Sequence, residues 1–514
     1  MAKDMPRYAS VDIGSNSVRM EAAEIVPGER ARILASERQV TRLGASVFRA
    51  GRISREAIDS ICGVLGGMAQ TYKRLEVNCV RAVATAAVRD AGNQQEFIAR
   101  ASAALGANVE IISGQEEARL IHLGVKSRWP HEKERFLIID IGGGSAEIIL
   151  SENGRLGKAF SKPLGALRLQ ELFLRGDPPR ESELHRLHEY IEERIGSAVR
   201  RIGVTNIDRV VGTSATASAV VCAVNRIPRA RRDEANRKRA TTVQIRRLYR
   251  HISALDNAAR QKITGIGPRR AEIIVPGTAV LLHVLEAFQM PALFYSTAGV
   301  RDGIIADLAA RGIDRGLTQL SADQRGVVEE MAEHYGVALR HGRKVARLAN
   351  DLFVGLQHAH RLPAPFGRLL EAAAYLHDTG HYVSDTRHHK HSYYLVANSD
   401  LPGFTLNERE LIANLCRYHR KALPSPEHSN LQALEAEERR AVTYLIPLLR
   451  LADSLDRSRG QRVQSVDVSS QANEFVIRLN ALPDIDIDLE LWAAERLTDI
   501  FRQAYGKPMM VIRS

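Results

Sequence analysis

RYASVDIGSNSVRMEAAEIV, running from Arg7, and RFLIIDIGGGSAEIILSENG, running from Arg135, decide the fold of this chain. Aligned on Asp12 and Asp140, both carry an apolar run, Asp-Ile-Gly, two small residues, a serine and a second apolar run. Each reads as a strand, a tight glycine turn and another strand. A third strand is expected after each hairpin, at 31–43 and 155–161, and a helix over 55–75. Two copies of one such unit predict two similar lobes with a cleft between them.

A glycine/serine turn between strands aims several N–H groups and hydroxyls at one point, which suits phosphate oxygens. The candidates are Gly14, Ser15, Asn16 and Ser17 in the first loop and Gly142, Gly143, Gly144 and Ser145 in the second. Asp12 and Asp140, just before the glycines, can hold a metal or its water beside the same phosphate. One such turn would more often be a plain hairpin; its repetition at matching places favours phosphate binding. A third turn, at Gly212, Thr213 and Ser214, reads equally well as a phosphate-facing loop or as a simple strand-to-helix connection.

The 514 residues carry a net charge of +12, which favours polyanionic partners without choosing among them. Ten basic residues between Arg226 and Arg250, set against Asp233 and Glu234, read equally as a solvated face or as a polyanion track. Cys62, Cys79, Cys222 and Cys416 are scattered with no C-x-x-C pair, so neither a disulfide framework nor a zinc knuckle is indicated. No apolar run approaches the ~18 residues of a membrane helix. The expectation is a cytoplasmic protein with no membrane partner and no specific nucleic-acid partner.

D-I-G-S-N-S, D-I-G-G-G-S-A-E and G-T-S-A-T-A together resemble the three-loop set of the actin-like ATPase and sugar kinase superfamily. R-A-V-A-T-A-A-V-R-D-A-G-N from Arg81, I-I-S-G-Q-E-E-A-R-L-I from Ile111 and S-T-A-G-V-R-D-G-I-I from Ser296 narrow the resemblance to the exopolyphosphatase and guanosine pentaphosphate phosphohydrolase family, over about Tyr8 to Leu308. The resemblance implies that Glu117 is the general base that activates water. It implies that Asp140 and Glu147 place Mg²⁺ and water at the terminal phosphate, that Ser15, Asn16, Ser17, Gly143, Gly144 and Ser145 cradle phosphate, and that Arg89 contacts the phosphoryl group. Glu116 competes with Glu117, since adjacent carboxylates at a helix start can simply complement its dipole. Arg19 aligns with Glu147, so the catalytic metal is expected mainly on the second lobe.

Beyond residue 312 the pattern turns helical. Ser321 is a good N-cap, and one amphipathic helical pattern runs to about Gln357. His341, then His377-Asp378, then Asp453 follow in an order that resembles the HD phosphohydrolase signature, and His and Asp together suit a divalent metal. The wider runs around them resemble the C-terminal domain of longer members of the same family, and His391 and His419 are candidates for a second metal position. The last segment reads as two strands, a helix over 489–505 and a short strand.

The expected fold is α/β: two duplicated actin-like (ribonuclease H-like) lobes, 1–123 and 124–312, an all-α HD-like domain, 313–462, and a small α+β segment, 463–514. The expected activity is exopolyphosphatase, releasing orthophosphate from the end of inorganic polyphosphate with Mg²⁺. Guanosine pentaphosphate 5'-phosphohydrolase is the first alternative. A phosphate or alarmone sensor with little turnover, and a kinase of the same superfamily, are the others. A homodimer is what the family resemblance allows.

Overall fold

The computed structural model describes residues 5–26, 31–131, 133–311, 318–481 and 485–513. The chain forms two compact units, Met1–Ile313 and Asp314–Ser514.

In the N-terminal unit, β1 (Arg7–Ile13), β2 (Ser17–Glu24), β3 (Arg32–Val40), β4 (Cys79–Ala84) and β5 (Val109–Ile111) form a sheet in the order β3-β2-β1-β4-β5. β6 (Arg135–Ile141), β7 (Ala146–Glu152), β8 (Arg155–Lys162), β9 (Arg209–Thr213), β10 (Arg239–Thr241) and β11 (Ala292–Tyr295) form a second, in the order β10-β11-β9-β6-β7-β8. The order β3-β2-β1-β4-β5 is matched by β8-β7-β6-β9-β11, with the first three strands antiparallel and the last two parallel in each lobe. The duplication read from the sequence is therefore a duplication of topology. β1 and β6 are buried over nearly their whole length because they are central strands covered on both faces.

Two helices join the lobes. Gly114–Arg128 packs Ala118, Ile121 and Val125 on the second sheet, while Leu120 joins Ile304 and Leu308 of the Val300–Arg311 helix against the first. The expected 123/124 boundary therefore falls inside a helix, and the last helix of the second lobe returns to the first. The pair crosses at glycine: a Cβ on Gly303 would lie 1.8 Å from the Leu120 carbonyl oxygen.

In the C-terminal unit the helical pattern expected from Ser321 to Gln357 is two helices, Ala322–His334 and Leu339–Gly355. Gly336, at φ 70°, ends the first by taking up a left-handed conformation that other residues rarely adopt. β12 (Val463–Ser470), β13 (Phe475–Ala481) and β14 (Met509–Arg513) form a three-stranded sheet. The 489–505 segment is likewise two short helices, Asp488–Glu495 and Thr498–Tyr505. Val463, Ile477, Leu479 and Phe501 share one core with Leu352, Phe353 and Leu445, so the 463–514 segment is built into the helical unit. No helix among the described residues is long and apolar enough to cross a membrane.

Gly303→Ala drives a methyl group into the backbone of the crossing helix. It is expected to cost about 1–3 kcal/mol of stability, read as a lower midpoint in urea unfolding.

Candidate active site

The two Asp-Ile-Gly loops face each other across a cleft of about 800 Å³. Asp12, Gly14, Ser15, Asn16 and Ser17 line it from one lobe, and Asp140, Gly142, Gly143, Gly144, Ser145 and Ser214 from the other. The loops close with the same hydrogen bond, Gly14 N–H to the Ser17 carbonyl at 3.1 Å and Gly142 N–H to the Ser145 carbonyl at 3.0 Å. Their carbonyl oxygens, which would repel phosphate, are already taken. Ser15 and Asn16 accept from the amides of Gly44 and Arg42, and Gly142 and Gly143 from those of Ala166 and Leu167.

Strand register places Asp12 opposite Arg19 and Asp140 opposite Glu147. One lobe thus presents an acid–base pair and the other a pair of acids. Glu147 is buried and accepts from the Ser161 hydroxyl at 2.8 Å. Burial, then the charges of Glu117 and Asp140, raise its carboxyl well above the usual range. Burial also raises Asp140, opposed by the Thr213 and Ser214 hydroxyls.

Glu116 and Glu117 open the Gly114–Arg128 helix, which Ser113 caps by accepting from the Glu116 amide. They have opposite fates. Glu116 turns into a buried ring: it accepts from Arg119 Nε at 2.7 Å and from Arg81 Nη2 at 3.0 Å, and Asp307 accepts from both arginines at 2.8 and 2.9 Å. Burial works against its charge, but Arg119 and Arg81 hold its carboxyl below the usual range. Glu117 lines the cleft, and its Oε2 is buried without a hydrogen-bond partner among the described residues. Burial pushes its carboxyl up to about 7; Arg89 lowers it, and Asp12 and Asp140 raise it. The Arg89 Nη2 is 3.6 Å from that oxygen, an ion pair too long for a hydrogen bond, while its Nη1 donates to the Ile112 carbonyl at 2.6 Å.

The third loop divides. Gly212 is packed against Ala217 and Leu293, and Thr213 is fully buried and donates to Asp140 Oδ2 at 2.5 Å, so these two support the site from behind. Ser214 reaches the cleft in a left-handed conformation, φ 60°, its hydroxyl donating to the Ile141 carbonyl at 3.0 Å. Arg19, Arg270 and Arg301 also line the cleft and were not singled out as site residues in the sequence, where they stand among many arginines. A neighbouring cavity of about 440 Å³ shares Arg270 and Ala215 with it and adds Arg38, Arg229, Arg232 and Arg269. Burial and the charges of Arg19 and Arg229 lower the Arg270 guanidinium to about 10; burial, Arg19 and Arg270 lower Arg38 to about 9. The basic stretch therefore splits. Arg229 and Arg232 face this cavity, whereas Arg246 pairs with Glu286 and Arg231 with Glu234.

Asp140, Glu147 and Glu117 offer only oxygen donors, and Asp140 raises the proton affinity of both glutamates, the environment a hard divalent cation relieves. They fit Mg²⁺.

In the helical unit, His341, His377, Asp378 and Asp453 come together as the sequence order implied. His341 Nε2 lies 3.3 Å and His377 Nε2 3.6 Å from Asp453 Oδ1, and His377 Nε2 lies 3.7 Å from Asp378 Oδ1. His419 joins them, 3.9 Å from Asp378 Oδ1. From the His388–Asn398 helix it is His388, not the expected His391, that approaches Asp378, at 3.8 Å. His381, not singled out from sequence, approaches at 3.5 Å.

Two lobes of one topology closing phosphate-type loops over a set of buried carboxylates define an actin-like phosphohydrolase. The profile of the Ppx/GppA phosphatase family matches residues 22–311, and that of Ppx/GppA phosphatase domain III matches 324–495. This chain belongs to the Ppx/GppA phosphatase family. It is similar over 99% of its length, and 99% of the relative's, to the guanosine-5'-triphosphate,3'-diphosphate pyrophosphatase of Vibrio vulnificus, at 27% identity. The protein of that name from Vibrio parahaemolyticus is also 27% identical, over 93% of each chain. Among solved structures, an Aquifex aeolicus Ppx/GppA family member covers 60% of this chain and 98% of its own, with TM-score 0.52 and 29% identity. An exopolyphosphatase from Cytophaga hutchinsonii covers 58% and 96%, with TM-score 0.54 and 26% identity.

Glu116→Gln removes one carboxylate from a buried ring and is expected to cost about 3–5 kcal/mol of stability in urea unfolding. Glu117, Asp140 and Glu147 all bind a proton more tightly in the folded protein than an ordinary carboxyl does. The stability this gives is present below about pH 4 and is lost as pH rises through the folded values, about 7 for Glu117. The melting temperature of the metal-free protein is therefore expected to fall between about pH 5 and 8, and Glu117→Gln to flatten that fall.

Proposed function

We propose that this protein hydrolyses the terminal 5'-phosphate of guanosine pentaphosphate, with Glu117 as the general base. The observation that carries the reading is the junction at Arg270, where a carboxylate-bearing phosphate cleft meets an arginine-lined cavity. A nucleotide with phosphate chains at both ends has an anion for each compartment. The names of the Vibrio relatives, which align over nearly the whole chain, support the choice.

The terminal phosphate sits between the two loops, where Ser15, Asn16 and Ser17 oppose Gly143, Gly144 and Ser145. Glu117 Oε2, free of hydrogen bonds, accepts a proton from the attacking water as its oxygen bonds to phosphorus. The anhydride P–O bond breaks on the far side, and the shortened nucleotide leaves with its oxygen anionic. A carboxyl raised to about 7 is a stronger base than an ordinary one and still ionised in useful proportion near neutrality. Arg89 holds the Glu117 side chain and stands beside the transferred group. Asp140 and Glu147, supported by Thr213 and Ser161, would hold Mg²⁺, which neutralises charge on phosphoryl oxygens when bound. The arginines of the neighbouring cavity receive the remaining phosphates, and their mutual repulsion is relieved as the substrate's charge is.

Inorganic polyphosphate is a second reading, favoured by Arg229 and Arg232, which come from the basic stretch and could follow a long polyanion. Phosphate release from guanosine pentaphosphate and from long-chain polyphosphate, measured side by side with Mg²⁺ and with chelator, separates the two. Faster Mg²⁺-dependent release from the nucleotide is expected. A preference for polyphosphate moves the assignment to the second reading, and no release from either by folded protein removes both.

Glu117→Gln is expected to lower kcat on the order of 10²–10⁴-fold while equilibrium binding of the nucleotide stays within a few-fold. Full activity in that variant would refute the base assignment. Arg229→Ala with Arg232→Ala is expected to raise KM for guanosine pentaphosphate about ten-fold or more, with a smaller effect on tripolyphosphate, which is too short to fill both compartments.

A further inference from the structure

The two phosphate-type loops are held from behind in the same way. In the first lobe the helix Leu43–Ala50 begins beside its loop, and the Gly44 amide takes the Ser15 carbonyl at 2.7 Å. In the second lobe the helix Ala166–Phe173 does the same. The Ala166 amide takes the Gly142 carbonyl at 3.0 Å, and the amides of Leu167 and Arg168 take that of Gly143 at 3.0 and 2.9 Å. The next carbonyl, that of Gly144, is taken by a side chain: Arg168 Nε donates to it at 2.7 Å. A trans peptide points its carbonyl and the following N–H in opposite directions, so this bond also fixes the direction of the Ser145 N–H. Glycine by itself leaves that peptide unit free to turn, and a carbonyl oxygen turned into the cleft repels phosphate.

The same guanidinium reaches the other lobe. Its Nη2 donates to Asp90 Oδ2, and its central carbon lies 4.1 Å from the centre of the Phe48 ring. Phe48 packs against the cores of both lobes. The Nε and Nη2 hydrogens lie on one edge of the arginine fork. That edge therefore spans two acceptors from opposite lobes while an aromatic ring lies against the face. An exposed ion pair alone would be worth little. Here the Arg168 side chain is only 16% exposed and is held at Gly144, Asp90 and Phe48 together.

Asp90 ends the five-residue helix Ala86–Asp90, which carries two other contacts of the cleft. The Ala87 amide donates to the Ser15 hydroxyl at 3.1 Å, and Arg89 places Nη2 3.6 Å from Glu117 Oε2. The loops meet along this line: a Cβ on Gly144 would lie 2.5 Å from Ser15 Oγ and 2.8 Å from Ala86 Cβ. Arg168 thus holds a peptide of the second loop at one end. At the other it holds the short helix that places the hydroxyl of the first loop and the ion-pair partner of Glu117.

We infer that Arg168 is a positioning residue, which keeps the Gly144–Ser145 peptide and, through Asp90, the Ala86–Asp90 helix in one register across the cleft. Its catalytic consequence rests on the reading of Glu117 as the general base; the bridge itself does not. A displacement of about 1 Å between a bound group and the residue that acts on it can cost on the order of 10²-fold in rate.

The test compares the full-length wild type with Arg168→Met, Arg168→Lys, Asp90→Asn and the double variant Arg168→Met with Asp90→Asn. In Mg²⁺-dependent phosphate release from guanosine pentaphosphate, Arg168→Met is expected to lower kcat about ten- to a hundred-fold with KM within about three-fold of wild type. Arg168→Lys keeps the charge without the fork and is expected to regain part of that loss. Asp90→Asn is expected to lower kcat by a smaller factor, and the double variant to be no slower than Arg168→Met, because both substitutions cut one path. Hydrogen exchange read by mass spectrometry reports the bridge without turnover: segments 86–90 and 142–146 are expected to exchange faster in Arg168→Met, with the rest of the chain unchanged. If Arg168→Met fails to fold, Arg168→Lys and Asp90→Asn carry the test through the same exchange signature at 86–90. Unchanged kcat in Arg168→Met overturns the inference, and so does a double variant slowed by the product of the two single losses. Faster exchange throughout the chain reduces Arg168 to a stabilising residue and overturns it as well. A wild type that releases no phosphate, with local loosening in Arg168→Met, keeps the bridge and removes only the proposed function.

Discussion

A closed ring of two arginines and two carboxylates, sealed from water, sets the geometry on which the phosphate cleft depends. Arg81 comes from β4, Glu116 and Arg119 from the helix that joins the lobes, and Asp307 from the helix that crosses it. Burying such charges costs several kcal/mol each, offset only when the hydrogen bonds are short and complete. Here they run from 2.7 to 3.0 Å, and each carboxylate is held by both arginines. The ring fixes more than distance. Successive residues of an α-helix are turned by about 100°, so locking Glu116 into the ring fixes the direction of Glu117. One glutamate is spent on structure so that its neighbour can stand in the cleft with one carboxylate oxygen free of hydrogen bonds among the described residues.

The cleft itself is a place of unresolved charge. Burial and the charge of Asp140 raise the proton affinity of Glu117 and Glu147, while burial and the charge of Arg19 depress Arg38 and Arg270. Arg89 beside Glu117, and Arg19 and Arg270 beside Asp140, offset only part of the cost of burial on the carboxylates. Folding energy from the two cores carries this burden, and on the function proposed above a cation with a phosphate chain would relieve it. Binding energy would then be concentrated where charge moves during the reaction.

Much of this arrangement could be read in the sequence because it is local. The paired Asp-Ile-Gly loops, their strands and the alignment of Arg19 with Glu147 all lie within about twenty residues of each duplicated segment, and strand register repeats them. What escaped was long-range. Glu116 and Glu117 are distinguished by Arg81 and Asp307, residues far away in the chain that no local pattern ties to them. Thr213 follows a strand and a glycine and reads from sequence equally as a phosphate ligand or as part of a plain turn; the fold turns its hydroxyl onto Asp140. His381 and His388 stand in a segment crowded with histidine, where only the turn at Gly380 decides which of them meet Asp378.

The two candidate metal environments differ in a way that lets one chain keep them apart. The cleft offers carboxylate and hydroxyl oxygens, a set matched to a hard ion that keeps much of its water and is exchanged with substrate. The helical unit offers imidazole nitrogens of rings oriented by hydrogen bonds at Nδ1, and such pre-oriented nitrogen donors hold transition ions far more tightly than they hold magnesium. Affinity alone would draw a transition ion to both. Donor type would separate them, because a nitrogen-rich set takes a transition ion in preference to an oxygen-only set. The carboxylates proposed for the cleft and the histidine cluster of the helical unit thus call for different ions on donor chemistry alone.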